Sequence, residues 1–304
     1  LMFSATVPKA IATLAKRFQR NAVRISTTTA NEQHTDIEYR NMLVAASERE
    51  HAVINTLRYF EATSALVFCG TREAVKHLAS RLSNRGFAVV ALSGELSQSE
   101  RTHALQAMRD GRARVCVATD VASRGIDLPN LDLVIHADLP KNGETLLHRS
   151  GRTGRAGRNG VCVIITPHNK RRSMERLLSE AAISAAVMQP PTAEVILKRD
   201  RERLLADPVF DGELTDDETE FARELLATRT PEQLAAAYLR LKQAGQPTPE
   251  EFVNTGMLST TSTGVRTDFD GGIWFKISVG RKHRADPRWL LPIICRAGGV
   301  TKRD

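Results

Sequence analysis

The 304-residue sequence predicts an α/β protein, a parallel sheet with helices on both faces. Three observations lead to that class. Short apolar runs recur between about 65 and 166, namely ALVFC (65–69), AVVAL (88–92), VCVAT (115–119), LDLVIHA (131–137) and VCVIIT (161–166). Helical or loop stretches separate most of them, which is the spacing of βα units. Several runs lack polar alternation, as expected of strands covered on both sides.

Taken in order, residues 1–45 read as a loop, a helix over about 9–18 and two strands near 22–25 and 37–44. REAVKHLASRLSNRG (72–86) places Val75, Leu78, Ala79 and Leu82 on one helical face and stops near Asn84 and Gly86. SQSERTHALQAMRDG (97–111) repeats that design, with Ser97 as cap and Gly111 as stop. After Arg172 the chain turns helical and acidic, and TPEQLAAAYLRLKQAG (230–245) opens on Thr230 and Pro231 as cap and first-turn residues. NTGMLSTTSTGVRTDFDGG (254–272) has the composition of a flexible tether. IWFKISV (273–279) reads as a strand, GRKHR (280–284) as a basic loop and PRWLLPIICRAGG (287–299) as a helix.

Composition narrows the function classes. The content is 41% hydrophobic, enough for a packed core, and the formal net charge is +8, which favours a polyanionic partner. Charge is segregated along the chain. From 207 to 251 there are eleven acidic and four basic residues, whereas from 273 to 304 there are eight basic and two acidic. No run approaches the roughly 18 apolar residues of a membrane span and no export signal opens the chain, so no membrane partner and a cytoplasmic address are expected. Cys69, Cys116, Cys162 and Cys295 are far apart and form no CxxC pair, so they read as reduced core residues. The start at Leu1 and the stop at Asp304 partway through a patterned segment are read as the ends of a fragment.

Two segments carry the chemistry. HRSGRTGRAGR (148–158) sets His148 and four arginines on a frame of three glycines, between a helical stretch, GETLLH (143–148), and the strand at 161. That is one rim of the sheet, where open parallel sheets bind ligands. The planar guanidinium suits phosphate because it makes paired hydrogen bonds and keeps its charge. TDVASRGID (119–127) leaves the strand VCVAT at the same rim and offers the Thr119 hydroxyl with the carboxylates of Asp120 and Asp127, groups suited to sugar hydroxyls and phosphates. A pairing of Asp120 with Arg124 that only orders the loop is an equal alternative, and Asp127 is the stronger ligand.

In this order the two segments resemble motifs V and VI of superfamily 2 helicases, spelled as in the DEAD-box RNA helicases. LMFSAT (1–6) resembles that family's motif III, VFCGTR (67–72) its motif IV and LSGELSQSER (92–101) the RNA-contacting segment that follows. The resemblance implies the end of a first RecA-like domain and a linker over 1–19, a second RecA-like domain over 20–172, an acidic helical region over 173–253, the linker over 254–272, and over 273–304 the first part of an RRM-like α+β domain of the DbpA and DeaD type.

It further implies arginine fingers at Arg152 and Arg155, positioning of the attacking water by His148, nucleotide contacts by Asp127 and Gly125, interdomain coupling through Ser4 and Thr6, and RNA backbone contacts by Thr71, Gln98, Arg101 and Thr119. Thr71 equally suits a helix cap ahead of Arg72, and His148 equally suits a histidine satisfied by its own helix end. In the tail, Lys276, Arg281, Lys282 and Arg284 would meet phosphates, with Trp274 or Phe275 as stacking surface or core anchor.

The sequence holds no GxxxxGK[ST] loop, no DEAD tetrapeptide and no adenine-reading glutamine segment. ATP and Mg2+ are therefore expected mainly on a domain upstream of Leu1, and this chain alone is expected to be inactive. The expected activity is ATP-dependent unwinding of RNA or remodelling of RNA–protein complexes, in ribosome assembly or RNA decay. A DNA-acting translocase and a non-catalytic RNA-binding protein on the same scaffold are the alternatives. Leu225, Leu226, Leu234, Tyr238, Leu239 and Leu241 would serve either a homodimer through 173–250 or a helical hairpin packed on its own chain.

Overall fold

A computed structural model describes residues 36–123, 128, 131–154 and 157–252, together with positions 13, 17 and 18. The expected helix over 9–18, the strand at 22–25, the linker and the RRM-like tail lie outside the described residues, apart from those three helix positions.

Seven parallel strands form one sheet in the order β3-β4-β2-β5-β6-β1-β7. They are β1 (Ile37–Val44), β2 (Ala65–Phe68), β3 (Val89–Leu92), β4 (Val115–Ala118), β5 (Leu133–His136), β6 (Gly160–Pro167) and β7 (Ala186–Val187). Strands β2 to β6 are those anticipated from the five apolar runs, β1 is the strand expected near 37–44, and β7 is a two-residue addition at the edge that pairs with Arg40 and Asn41 of β1. The helices are α1 (Arg49–Phe60), α2 (Arg72–Asn84), α3 (Gln98–Arg109), α4 (Gly143–Ser150), α5 (Arg171–Ala181), α6 (Ala193–Leu205), α7 (Asp216–Thr228) and α8 (Pro231–Ala244).

Strand alternation divides the core in two. In β2, Ala65 and Val67 face the layer built with Val53, Ile54 and Leu57 of α1 and Val75, Leu78 and Leu82 of α2. Leu66 and Phe68 face the other layer, with Leu92, Met108, Cys116, Val134 and Cys162. Ile164 extends that side against Leu146 of α4 and Met174 and Leu177 of α5. Both faces are buried, which accounts for the missing polar alternation. Burial also holds the thiols of Cys69, Cys116 and Cys162 up at about 12, so they remain protonated core groups.

The helix starts follow their caps. Ser97 and Glu100 form a reciprocal capping box on α3, as Thr230 and Gln233 do on α8. From 173 on, the chain stays attached to the sheet domain. The buried Asn55 of α1 donates from Nδ2 to the carbonyls of Pro191 and Glu250, both at 2.8 Å, and its Oδ1 accepts the Glu250 N–H at 2.7 Å. Arg58 reaches Asp200 of α6 at 2.7 Å, and Arg203 donates to the Tyr59 carbonyl at 2.6 Å. Of the six apolar residues proposed for an interface, Leu225, Leu234, Tyr238 and Leu239 are half-buried, whereas Leu226 and Leu241 are exposed. Among the described residues no helix is long and apolar enough to cross a membrane.

Candidate nucleotide and nucleic-acid site

Because β3, β4, β2 and β5 are neighbours in the sheet, the loops leaving their carboxyl ends lie side by side along one rim. The first carries Gln98 and Arg101 into α3, the second carries Thr119, the third carries Thr71 into α2, and the fourth leads through Asp138 into α4 and the HRSGRTG segment. The topology thus gathers on one edge residues spread over more than 80 positions of sequence.

Each loop is fixed by a local device. Thr71 caps α2, its side-chain oxygen accepting the Ala74 N–H at 3.1 Å, so its capping role is realised and its exposed hydroxyl stands at the rim. Thr119 accepts the Ala122 N–H at 3.4 Å and turns the chain after β4. Glu95 bridges the α2 and β3 loops through Arg72 and Lys76, each at 3.0 Å, and hydrogen bonds from Lys76 and then Arg72 hold its carboxyl below the ordinary range. Gln98 is exposed and Arg101 half-buried in the first turn of α3.

The arginine-rich segment separates into an inner and an outer set. Arg149, at 2% exposed, is among the largest fully buried side chains of the described core. Its Nε and Nη2 grip Asp120 at 2.5 and 2.8 Å, its Nη1 donates to the Asp138 carbonyl at 2.8 Å, and its guanidinium lies 5.0 Å from the Phe68 ring centre. The same Asp138 accepts the Gly70 N–H at 2.8 Å and pairs with Arg49 at 2.5 Å. Asp120 therefore serves a structural pairing as the alternative reading anticipated, but its partner is Arg149; Arg124 lies outside the described residues. The charge pattern had offered all the arginines to a ligand. Sequence reasoning missed this one, although Arg149 falls three residues after the buried Leu146 and so lies on the core face of the helix.

Ser150 and Thr153 complete the inner set. Ser150 Oγ donates to the Leu146 carbonyl at 2.8 Å and sits 3.4 Å from His136 Nε2 and 3.3 Å from Cys162 Sγ, while Thr153 Oγ1 donates to the Leu131 carbonyl. The outer set is His148 and Arg152. They are four residues apart, with Arg152 Nη2 2.6 Å from His148 Nε2. A guanidinium only donates, so Nε2 accepts and the imidazole is neutral in this arrangement. One partner of His148 is thus a side chain of the same motif. Asp127, Gly125 and Arg155 lie outside the described residues, as do Ser4, Thr6, Lys276, Arg281, Lys282 and Arg284.

A buried arginine thus pins two rim loops, beside a pair made of the exposed His148 and the half-buried Arg152. Known proteins resemble the chain. Residues 48–157 match the helicase conserved C-terminal domain. The ATP-dependent RNA helicase DeaD of Buchnera aphidicola is 28% identical over 99% of this chain and 53% of that protein. The chain is similar to the C-terminal part of DEAD-box RNA helicases. The mitochondrial DEAD-box ATP-dependent RNA helicase 9 of Arabidopsis thaliana is 37% identical over 59% of this chain and 30% of the plant protein. Saccharomyces cerevisiae Dbp5 bound to RNA and ADP BeF3 superposes with a TM-score of 0.58 at 26% identity, over 66% of this chain and 54% of the yeast one. The chain spans about half, or less, of the length of these relatives.

Proposed function

We propose that this chain is the arginine-finger half of an ATP-dependent RNA helicase, closing over a nucleotide held mainly by a P-loop-bearing RecA-like domain. The observation that supports the reading is the pairing of the exposed His148 with the half-buried Arg152, seated on a segment whose inner residues are fixed to the sheet. In phosphoryl transfer, guanidinium groups brought to the γ-phosphate neutralise charge developing in the transition state, an effect worth roughly 10³ to 10⁵ in rate. Arg152 and Arg155 take that role, His148 orients the pair and the attacking water, and Asp127 with Gly125 holds the ribose side. The other domain holds Mg2+.

Thr71, Gln98, Arg101 and Thr119 form the RNA track. Hydroxyl, amide and guanidinium groups along a rim meet sugar and phosphate without reading bases, which suits a machine that accepts any strand. Lys276, Arg281, Lys282 and Arg284 add a second RNA contact from the tail. The cytoplasm is the compartment, and ribosome assembly or RNA decay the process.

The test joins a P-loop-bearing RecA-like domain ahead of Leu1 and measures ATP hydrolysis with single-stranded RNA, with matched DNA and with neither. RNA alone should stimulate turnover. Arg155→Ala should abolish the stimulated rate while leaving RNA affinity within a factor of about two. Equal losses of turnover and binding would remove the finger assignment, and stimulation by DNA would move the activity to DNA.

A further inference from the structure

At the start of α2, two cations are held by a single carboxylate. Arg72 is the first residue of the helix, directly after the cap Thr71, and Lys76 stands one turn on along the same face. Positive charge at the first helical position opposes the helix dipole, so helix stability does not favour Arg72 there. Both side chains are exposed, Arg72 at 53% and Lys76 at 68%, and both meet Glu95 at 3.0 Å. Glu95 lies in the loop between β3 and α3, three residues before Gln98.

The two glutamates around the start of α3 are put to different uses. Glu100 closes the capping box, its carboxylate accepting the Ser97 N–H at 2.8 Å and the Ser97 hydroxyl at 2.7 Å. Glu95 takes no part in that cap. Its carboxyl, held below the ordinary range by Lys76 and then Arg72, stays ionised at neutral pH. The loop backbone lies against the guanidinium as well, since a Cβ on Gly94 would be 3.6 Å from Arg72 Nη2. Exposed ion pairs of this kind add little to stability, so the bridge opens easily. A carboxylate and a phosphodiester offer a guanidinium the same paired acceptors and the same single charge. Thr71 adjoins Arg72 and Gln98 closely follows Glu95, so the cations that Glu95 occupies lie on the proposed RNA track.

We propose that Glu95 stands in for the RNA backbone: it holds Arg72 and Lys76 in the free chain, and a phosphate of the incoming strand displaces it and takes both cations. The proposal rests on the reading of Thr71, Gln98, Arg101 and Thr119 as the RNA track. Arg72 and Lys76 then join the RNA-binding residues, and Glu95 is the gate over them. Opening the bridge lowers the affinity for RNA, and the returning carboxylate competes with phosphate when the strand leaves. A strand that must be released after each turnover is thus never held at the full strength of its cations.

The experiment measures binding of a labelled oligouridine to the full 304-residue chain by fluorescence anisotropy over a series of salt concentrations. Glu95→Gln should tighten binding by about threefold to tenfold and steepen the log–log salt dependence by roughly 0.7, the share of one phosphate contact. Glu73→Gln makes the same charge change in the first turn of α2 and should tighten it by less than about twofold. Arg72→Gln with Lys76→Gln should weaken binding by about tenfold, and adding Glu95→Gln to that pair should restore nothing. The three bridge residues are 48–68% exposed, so the thermal midpoints of the variants should match the parent and exclude misfolding. Gln98→Ala with Arg101→Ala separates this proposal from the reading beneath it. If that pair leaves affinity unchanged, or the parent binds no RNA, the track is lost and the gate with it. If that pair weakens binding while Glu95→Gln leaves affinity unchanged or lowers it, the track stands and the gate alone is overturned. An equal gain from Glu73→Gln, or a gain that persists without Arg72 and Lys76, would overturn the gate as well, since removing any nearby negative charge would then suffice.

Discussion

At the scale of single residues, the arginine-rich loop shows how burial reassigns a charge. Arg149 and Arg152 are three residues apart in one glycine-spaced run, yet one is sealed beneath the rim and the other is only half-buried. Arg149 is buried but Asp120 is 35% exposed and can be rehydrated, so Arg149→Ala, which also strips the Asp138 carbonyl and the Phe68 ring of their partner, should destabilise the domain by about 2 kcal/mol. Arg149→Lys should recover little of it, since an ammonium cannot span both Asp120 oxygens and the Asp138 carbonyl. Urea unfolding checks both, and a loss below about 1 kcal/mol for Ala would show that the clamp is solvated. His136, fully buried beside Ser150 and Cys162, gives a pH prediction. Burial, then the charge of Arg149, holds its imidazole well below the ordinary value, so it stays neutral when folded. The unfolded chain binds that proton near pH 6.5, so this contribution to stability is complete above about pH 7 and is lost as pH falls below 6.5, by at most about 1.4 kcal/mol per pH unit. The urea midpoint of the parent should therefore drop more between pH 7.5 and 5.5 than that of His136→Leu. Parallel slopes would remove His136 as the cause.

At the scale of elements, what could be read in advance and what could not divide along the range of the interaction. Strands β2 to β6 announce themselves as apolar runs, and α2, α3 and α8 by a cap and a stop, because alternation, helical spacing and capping act within a few residues. The placement of the motif segments at the carboxyl rim follows from the same local signals together with the parallel order. The strap onto α1 was not legible. Asn55 finds its partners 136 and 195 positions away, and nothing near Asn55, Pro191 or Glu250 marks them as neighbours. The burial of Arg149 was legible only to helical spacing, and the density of charge around it pointed the other way. Close approach is equally hidden. A Cβ on Gly160, the first residue of β6, would lie 2.6 Å from the Gly154 backbone nitrogen, and Gly154 itself has φ +65°. Gly160→Ala should thus cost about 2 to 3 kcal/mol by overpacking and displace the loop that carries Arg152. In the chain joined to a P-loop domain it should depress RNA-stimulated turnover more than RNA affinity, and equal effects on both would mean that the loop yields without moving its outer face.

At the scale of the whole molecule, the question is whether the helices after β6 fold with the sheet or beside it. Composition separates them, since the acidic stretch beginning at 207 follows a basic one, but the hydrogen bonds do not. α1 holds α6 through Arg58–Asp200 and Arg203–Tyr59, and holds the chain after α8 through Asn55 and Gln246. A polar side chain at 0% exposure that satisfies three backbone groups behaves as a keystone, because its removal leaves all three buried and unpaired. Asn55→Ala should then lower the stability of the sheet domain as a whole by about 2 to 4 kcal/mol, and expose the segment 246–252 to proteolysis before global unfolding. The parent should unfold in one transition followed alike by probes in the sheet and on α6. Hydrogen exchange should place α7 at the labile end, its amides opening locally because none of its residues is fully buried. Two resolved transitions in the parent, with Asn55→Ala shifting only one, would instead make the helical region an independent unit clipped onto α1. α7 would then move with that unit, and not with the rim that carries Arg152.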